Sequence, residues 1–496
     1  ALTTGTYNVA VGMQALNSED EHGKNIAIGY LALGTQNAGA DAYNIAIGHD
    51  AGKLITSAQR NTIIGGAAGD ALTTGSDNVA VGYGALTTED TGGKNVAVGR
   101  GALGTLDVGG DGYNVALGYY SGLAMTTGNS NITIGYNSAY QLTTGTSNIV
   151  IGTNAMIAAN GSESRNIAIG QGTLAAMDND GDNYNIAIGY NAGNAITTGI
   201  TNTLVGGLAG DALTTGTGNV AVGYFALSTD DAGGRSVAVG QGALKLQNGG
   251  DANVYNTAVG FEAGKNMTSG LNNTIVGGQA ALALTTGSQN VALGRQALYK
   301  EDTGSRNIAI GDRALYDANY DGTGYNVAIG HDAGDDISTG VQNTIIGGNA
   351  AKANITTGSN NIVIGYAATA AAADSANSVT FGDSNIASIR CQVQTISALS
   401  DERDKTNIQD STYGLDYINS LRPVTFEWNN REESVHKGTK DVGFIAQELQ
   451  KIDDEYTKLV LTDNPERLEA SYARLIPMLV KAIQELSEEV KQLKNK

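Results

Sequence analysis

The 496-residue sequence predicts a mainly β protein. A repetitive β-solenoid covers residues 1–385, a short linker covers 386–399, and a small α/β domain over 400–496 ends in a coiled-coil helix at about 474–494. Three observations lead there. A pentapeptide of the form Asn, Val/Ile/Thr, small or apolar, Val/Ile/Leu, Gly recurs 22 times between Asn8 and Ser378, at a mean spacing of about 17.6 residues. Composition breaks near residue 399: 66 of the 69 Gly and none of the 3 Pro precede it, whereas about 34% of the residues after it are charged. The final stretch places Ile476, Leu479, Ile483, Leu486, Val490 and Leu493 at alternating spacings of three and four, a coiled-coil seam.

Each repeat reads as a coil. In Asn78-Val79-Ala80-Val81-Gly82 the period-2 alternation puts Val79 and Val81 on one face and Ala80 on the other. A second apolar pair, such as Ala85-Leu86, follows most copies, so each unit predicts two short strands between tight corners. Gly supplies the positive φ a corner needs, and Asn tolerates it best otherwise. Pro is absent because every strand must donate hydrogen bonds to the next coil. So short a coil buries no core alone, and the copies must stack. Their thin apolar face of Ala, Val and Ile is expected to bury itself against copies of the chain, which favours a homotrimer; sequence alone also permits a monomeric solenoid.

A second period overlies the first. Spacing lengthens from 17 or 18 to 19 or 20 residues once in every four copies, each 70 or 71 residues. The five longer loops end in Tyr43, Tyr113, Tyr184, Tyr255 and Tyr325, and His49, Tyr119, Tyr190, Phe261 and His331 follow the next pentapeptides. These two ladders of rings either stack on sugars of a cell-surface glycan or, more plainly, plug the wider loops. The loop Asp178-Asn179-Asp180-Gly181-Asp182-Asn183 resembles the opening of a calcium loop, but its twelfth position is Gly189 rather than an acid. Turn formation explains these residues equally well. No metal or cofactor is expected.

Other classes are excluded. A formal charge of -20 opposes phosphate binding, so nucleic acid is not a partner. One Cys forms no disulfide framework. No apolar run reaches the roughly 20 residues a membrane helix needs. Gly99-Arg100-Gly101-Ala102-Leu103-Gly104 fits a dinucleotide fingerprint only by the chance that a Gly-rich repeat provides. Because Ala1 lies inside a pattern already running, a piece of a longer protein is expected.

The solenoid unit resembles the left-handed β-roll heads of trimeric autotransporter adhesins and the shafts of phage tail fibres. At the composition break, Ser400-Asp401-Glu402-Arg403-Asp404-Lys405-Thr406-Asn407-Ile408 closely resembles the opening of the intramolecular chaperone auto-processing domain of phage endosialidases, tailspikes and tail fibres. Leu421 to Trp428, Val442 to Leu449 and the last helix agree with it. The resemblance implies a single self-cleavage between Leu399 and Ser400, with Ser400 as nucleophile and Lys405 as base, supported by Asp401, Arg403 and Asn407. A Ser hydroxyl needs a base, and a Lys serves when it is held neutral. A turn over 401–404 must then fold Lys405 back. An Ile/Val and Leu seam would by itself favour two strands; the resemblance implies three.

The expected protein is therefore a homotrimeric phage tail fibre or tailspike in the virion, bound to other tail proteins through a missing N-terminal region and to a host-surface glycan or other receptor. Its C-terminal domain would drive trimerisation and folding and then cut itself off. A bacterial trimeric surface adhesin and a polysaccharide-degrading tailspike are the alternatives.

Overall fold

The computed structural model describes residues 4–250, 253–352, 355–370, 372–386, 388–390, 400–429, 437–462 and 468–495. It forms two compact units, Ala1–Tyr325 and Asn326–Lys496.

The first unit is a solenoid whose coils each carry one three-residue strand, from β1 (Val9–Val11) to β18 (Ile308–Ile310). Every strand starts at the residue after the pentapeptide's Asn or Ser. Neighbouring coils pair in parallel and in register, for example Val79 with Val96, Ala80 with Ala97 and Val81 with Val98. The expected second strand is absent among the described residues. Its apolar pair instead forms a corner, with Leu86 and Leu103 buried at φ of 53° and 48°. Stacking fixes this left-handed conformation, since Leu86 N donates to Ala102 O at 3.0 Å and Leu103 N to Ser121 O at 3.1 Å.

The strand's two faces divide unequally. Its central residue, such as Ala80, Ala97 or Ala116, is fully buried, while the flanking Val or Ile point outward and stay half-exposed. Ala lies inside because the coil interior is narrow and is filled mainly by corner residues such as Leu72, Leu86 and Leu103. In β4 (Thr62–Ile64), β12 (Thr203–Val205) and β16 (Thr274–Val276) the centre is Ile63, Leu204 or Ile275. The extra volume is taken up by missing side chains: a Cβ on Gly210 would lie 2.9 Å from Leu204 Cδ2. The four-coil period is thus partly a packing pattern.

The pentapeptide's Asn serves otherwise than its tolerance of positive φ suggested. The left-handed residue is the one before it, as at Asp77, Lys94 and Tyr113. The Asn side chain is buried and runs as a ladder: Asn78, Asn95 and Asn114 donate their backbone N–H to Oδ1 of Asn61, Asn78 and Asn95 at 2.8, 2.9 and 3.1 Å. The amide nitrogen of Asn78 donates to Gly92 O at 2.9 Å across the coil. One side chain thereby satisfies groups in two corners that would otherwise be buried without partners.

Buried acids recur at the same four-coil interval. Glu19, Glu89, Glu163, Asp230 and Glu301 are fully buried, and they accept backbone N–H bonds, as Glu301 does from Gly304 at 2.6 Å. Burial pushes the carboxyls of Glu89, Glu163, Asp230 and Glu301 up, that of Glu301 to about 7. A carboxyl that holds its proton more tightly folded than unfolded stabilises the fold fully below the unfolded value, and this is lost as pH rises through the folded one. For Glu301 the difference is ~3 kcal/mol. The melting temperature is therefore expected to be lower at pH 8 than at pH 5, and Glu301→Gln to narrow the gap. Equal wild-type midpoints would contradict this. Below pH 4 the opposite trend sets in, as Asp41, Asp77 and Asp111, held low by Lys24, Arg60 and Lys94, become protonated.

The second unit carries four more strands of the same kind, β19 (Val327–Ile329), β20 (Thr344–Ile346), β21 (Ile362–Ile364) and β22 (Val379–Phe381). Its C-terminal part follows as α1 (Leu415–Ser420), β23 (Val424–Glu427), β24 (Lys440–Gly443), α2 (Ala446–Leu449), β25 (Val460–Leu461), β26 (Glu469–Ala470) and α3 (Leu475–Lys494). Leu449, Leu459, Val460, Leu475 and Met478 form its core, with Tyr413, Tyr417 and Phe444 packed around them. Glu485 on α3 accepts from Leu415 N at 2.6 Å and so caps α1. Pro477 is tolerated because it sits in the first turn of α3. The seam residues Ile476, Ile483 and Leu493 remain 61%, 62% and 70% exposed. No described helix is long and apolar enough to cross a membrane.

Candidate active site

Ser400 and Lys405 meet because the residues between them form a tight turn. Glu402–Asp404 make one 3-10 turn, closed by Lys405 N donating to Glu402 O at 3.1 Å. Asp401 caps it, its carboxylate accepting from Arg403 N at 2.9 Å. The Arg403 guanidinium returns to the same carboxylate through Nε at 3.0 Å and Nη2 at 2.6 Å, a bidentate pair. The hydrogen bonds from the Arg403 side chain and backbone hold the Asp401 carboxyl below its usual range. Lys405 leaves the turn extended, with φ of -124°, and this directs its side chain back. Lys405 Nζ lies 2.5 Å from Ser400 Oγ and 3.3 Å from Ser400 O. Asn407 follows at φ of 55°. Ser400 and Lys405 are both exposed. Leu399 lies outside the described residues.

Such a pair can do acyl transfer if the amine is neutral. An ammonium only donates to the hydroxyl, whereas a neutral amine takes its proton; loss of water from around the group favours the neutral form.

The ring ladders lie on the outside of the coils. Tyr43, Tyr113, Tyr184, Tyr255 and Tyr325 are each about half exposed, so they do not plug the wider loops. Each instead meets a cation from the preceding coil: Lys24, Lys94, Arg165, Arg235 and Arg306 lie 4.9 to 5.6 Å from the five ring centroids. Tyr119, Tyr190 and Phe261 are exposed as well, as are His49 and His331. In the acidic loop, Asp180 accepts from Ser162 N at 2.8 Å and Asp182 pairs with Arg165, so these carboxylates brace the preceding coil.

Sequence reasoning missed a denser group. Arg100 stands among Tyr83, Tyr119 and Tyr120, 5.7 to 5.9 Å from each ring centroid. Alignment of the four-coil blocks against one another reveals it, because only the second block puts Tyr at positions 120, 136 and 140.

Comparison with known proteins agrees with the C-terminal reading. A family model described as chaperone of endosialidase matches residues 400–461, and it implies autoproteolytic peptidase activity in general. The long tail fiber proteins Gp37 of Enterobacteria phage M1 and of Enterobacteria phage Ox2 are each 37% identical over 98 residues, which is 19% of this chain. The chain spans 38% of the length of these curated relatives. No solved structure matches. A β-solenoid that leads into a segment matching the chaperone of endosialidase family, with similarity to phage long tail fibers, fits a phage tail fibre with a C-terminal chaperone domain.

Proposed function

We propose that this chain is part of a homotrimeric, host-binding tail fibre of a virion, whose residues 400–496 assemble three chains and then separate by one self-inflicted cut. The contact of Lys405 Nζ with Ser400 Oγ carries the chemical part of this reading. Ser400 Oγ attacks the carbonyl carbon of Leu399 while Lys405 takes the hydroxyl proton. The bond from that carbon to the Ser400 nitrogen breaks, the nitrogen leaves as an amine with the proton, and an ester remains. Water hydrolyses the ester, giving a carboxylate at Leu399 and a free hydroxyl at Ser400. Asp401 and Arg403 hold the turn that sets the approach.

Two uncovered surfaces support three copies: the outward Val/Ile face of the coils and the α3 seam. Exposed Lys405 links assembly to chemistry, since burial by neighbouring copies would favour its neutral form. The cut thus follows assembly and makes it hard to reverse. The exposed rings of the coils supply faces for host-surface sugars.

Sedimentation equilibrium of the uncut Ser400→Ala chain tests the assembly. Three chains per particle are expected at micromolar concentration; a single chain at every concentration would overturn the trimer.

A further inference from the structure

We propose that the aromatic cluster centred on Arg100 is a binding site for carboxylate-bearing sugar residues of a polysaccharide. Tyr83, Arg100, Tyr119 and Tyr136 occupy one column in four consecutive coils, directly after the pentapeptide's Gly. Tyr119 and Tyr136 stack with centroids 5.5 Å apart and 16° between their planes. Tyr120 lies 4.1 Å from Tyr119, and Tyr140 lies 6.2 Å from Tyr120. Tyr83 and Tyr136 are 65% and 51% exposed, so flat ring faces remain open to solvent.

The solenoid does not require these residues. At the position of Tyr136 the other blocks carry Gly66, Gly207, Gly278 and Gly348; at that of Tyr120 they carry Asp50, Asn191, Glu262 and Asp332; at that of Tyr140, Asp70, Asp211, Leu282 and Lys352. Rings have entered and acids have left at one place along an otherwise periodic surface. The charge follows the same pattern. Arg295 stands in the column of Arg100's neighbour Tyr83 and pairs with Asp312 in the next coil at 3.0 Å. Arg100 is exposed and has no carboxylate at ion-pair distance among the described residues; its next-coil neighbour in the column is Tyr119.

An unpaired guanidinium between rings suits one ligand class. The C–H face of a pyranose lies on an aromatic face, and the planar fork of Arg donates two parallel hydrogen bonds to a carboxylate. Loss of the neighbouring acids removes the local repulsion that a net charge of -20 would otherwise impose, and that charge is screened beyond ~8 Å at physiological salt.

This rests on the reading of the coils as a host-binding surface, but its test reads neither trimerisation nor cleavage. The full chain is titrated by calorimetry with hexagalacturonate, hexamannuronate and neutral maltohexaose. At least one hexuronate is expected to bind about tenfold more tightly than maltohexaose. Arg100→Gln should abolish that preference while retaining weak binding to the rings. Tyr136→Gly, which installs the residue of the other blocks, should weaken binding about tenfold with the circular dichroism and the oligomeric state unchanged. Equal affinity for charged and neutral hexamers, unchanged hexuronate binding in Arg100→Gln, or no binding of either hexuronate would overturn the site. Loss of oligomeric state in Tyr136→Gly would overturn it as well, by making the rings a contact between copies. A trimer that cuts itself yet fails this titration removes the site and leaves the fibre reading standing.

Discussion

Ser400→Ala is expected to leave the chain at its full 496 residues under conditions in which the wild type is cut, a loss of rate of at least ~10³-fold. In the proposed mechanism the Ser400 hydroxyl oxygen forms the ester, and the alanine side chain offers no oxygen in its place. Lys405→Arg separates the contact from the chemistry. A guanidinium still donates a hydrogen bond to Ser400 Oγ but does not lose its proton near neutral pH. Lys405→Arg protein should therefore assemble, retain its circular dichroism spectrum and stay uncut. Denaturing electrophoresis reads both variants. Cleavage of Lys405→Arg at the wild-type rate would remove Lys405 from the role of base.

Gly223→Ala should be among the most damaging single changes in the coils. Gly223 sits at φ of 137°, a region closed to residues with a Cβ, and the added carbon would lie 2.5 Å from Gly240 O in the next coil. Neither backbone can retreat, since each is tied to the coil on its other side: Gly223 N donates to Val205 O at 2.8 Å, and Gly260 N donates to Val239 O, next to Gly240, at 2.8 Å. Strain and clash together should exceed ~4 kcal/mol. In a stack where each coil contacts only its neighbours, such damage opens the structure locally, so limited proteolysis should nick the chain near residue 223. Gly84→Ala is the control: its φ is 63° and no atom lies within 4 Å of the added carbon, so it should cost about 1 kcal/mol and leave proteolysis unchanged. Equal protease resistance in the two variants would contradict the stacked geometry.

Much of this architecture was legible in the sequence, and the misreadings share a cause. The pentapeptide located every strand of the coils, β1 to β22, because in-register stacking repeats the same residues at the same place in each coil. Alternation correctly paired Val79 with Val81 against Ala80, but periodicity states only which residues share a face. That Ala80 faces inward follows from the volume of the coil, which a linear pattern does not contain. The expected strand at Ala85-Leu86 became a corner because coil-to-coil hydrogen bonds hold Leu86 at positive φ, against its own preference. Propensity assigns Asn to turns, whereas its place is fixed by a ladder between coils some 17 residues apart, which local reasoning does not see. The exposure of the ring ladders was equally hidden, since it depends on corner geometry. At the C-terminal end the spacing of α3 gave its seam directly, and the resemblance of 400–408 to a known motif named Ser400 and Lys405. Their approach to 2.5 Å depends on the turn at 401–404, which the five-residue offset required but did not describe.

In the proposed function the chain cuts itself once, before Ser400, through Ser400 and Lys405. Intact-mass spectrometry of the purified, folded wild-type protein decides it. The predicted result is two species, a 97-residue fragment whose first residue is Ser400 and the remainder ending at Leu399, with Ser400→Ala giving only the full chain. Folded protein containing only the intact 496-residue chain, or cut at another bond, would rule out this self-cleavage.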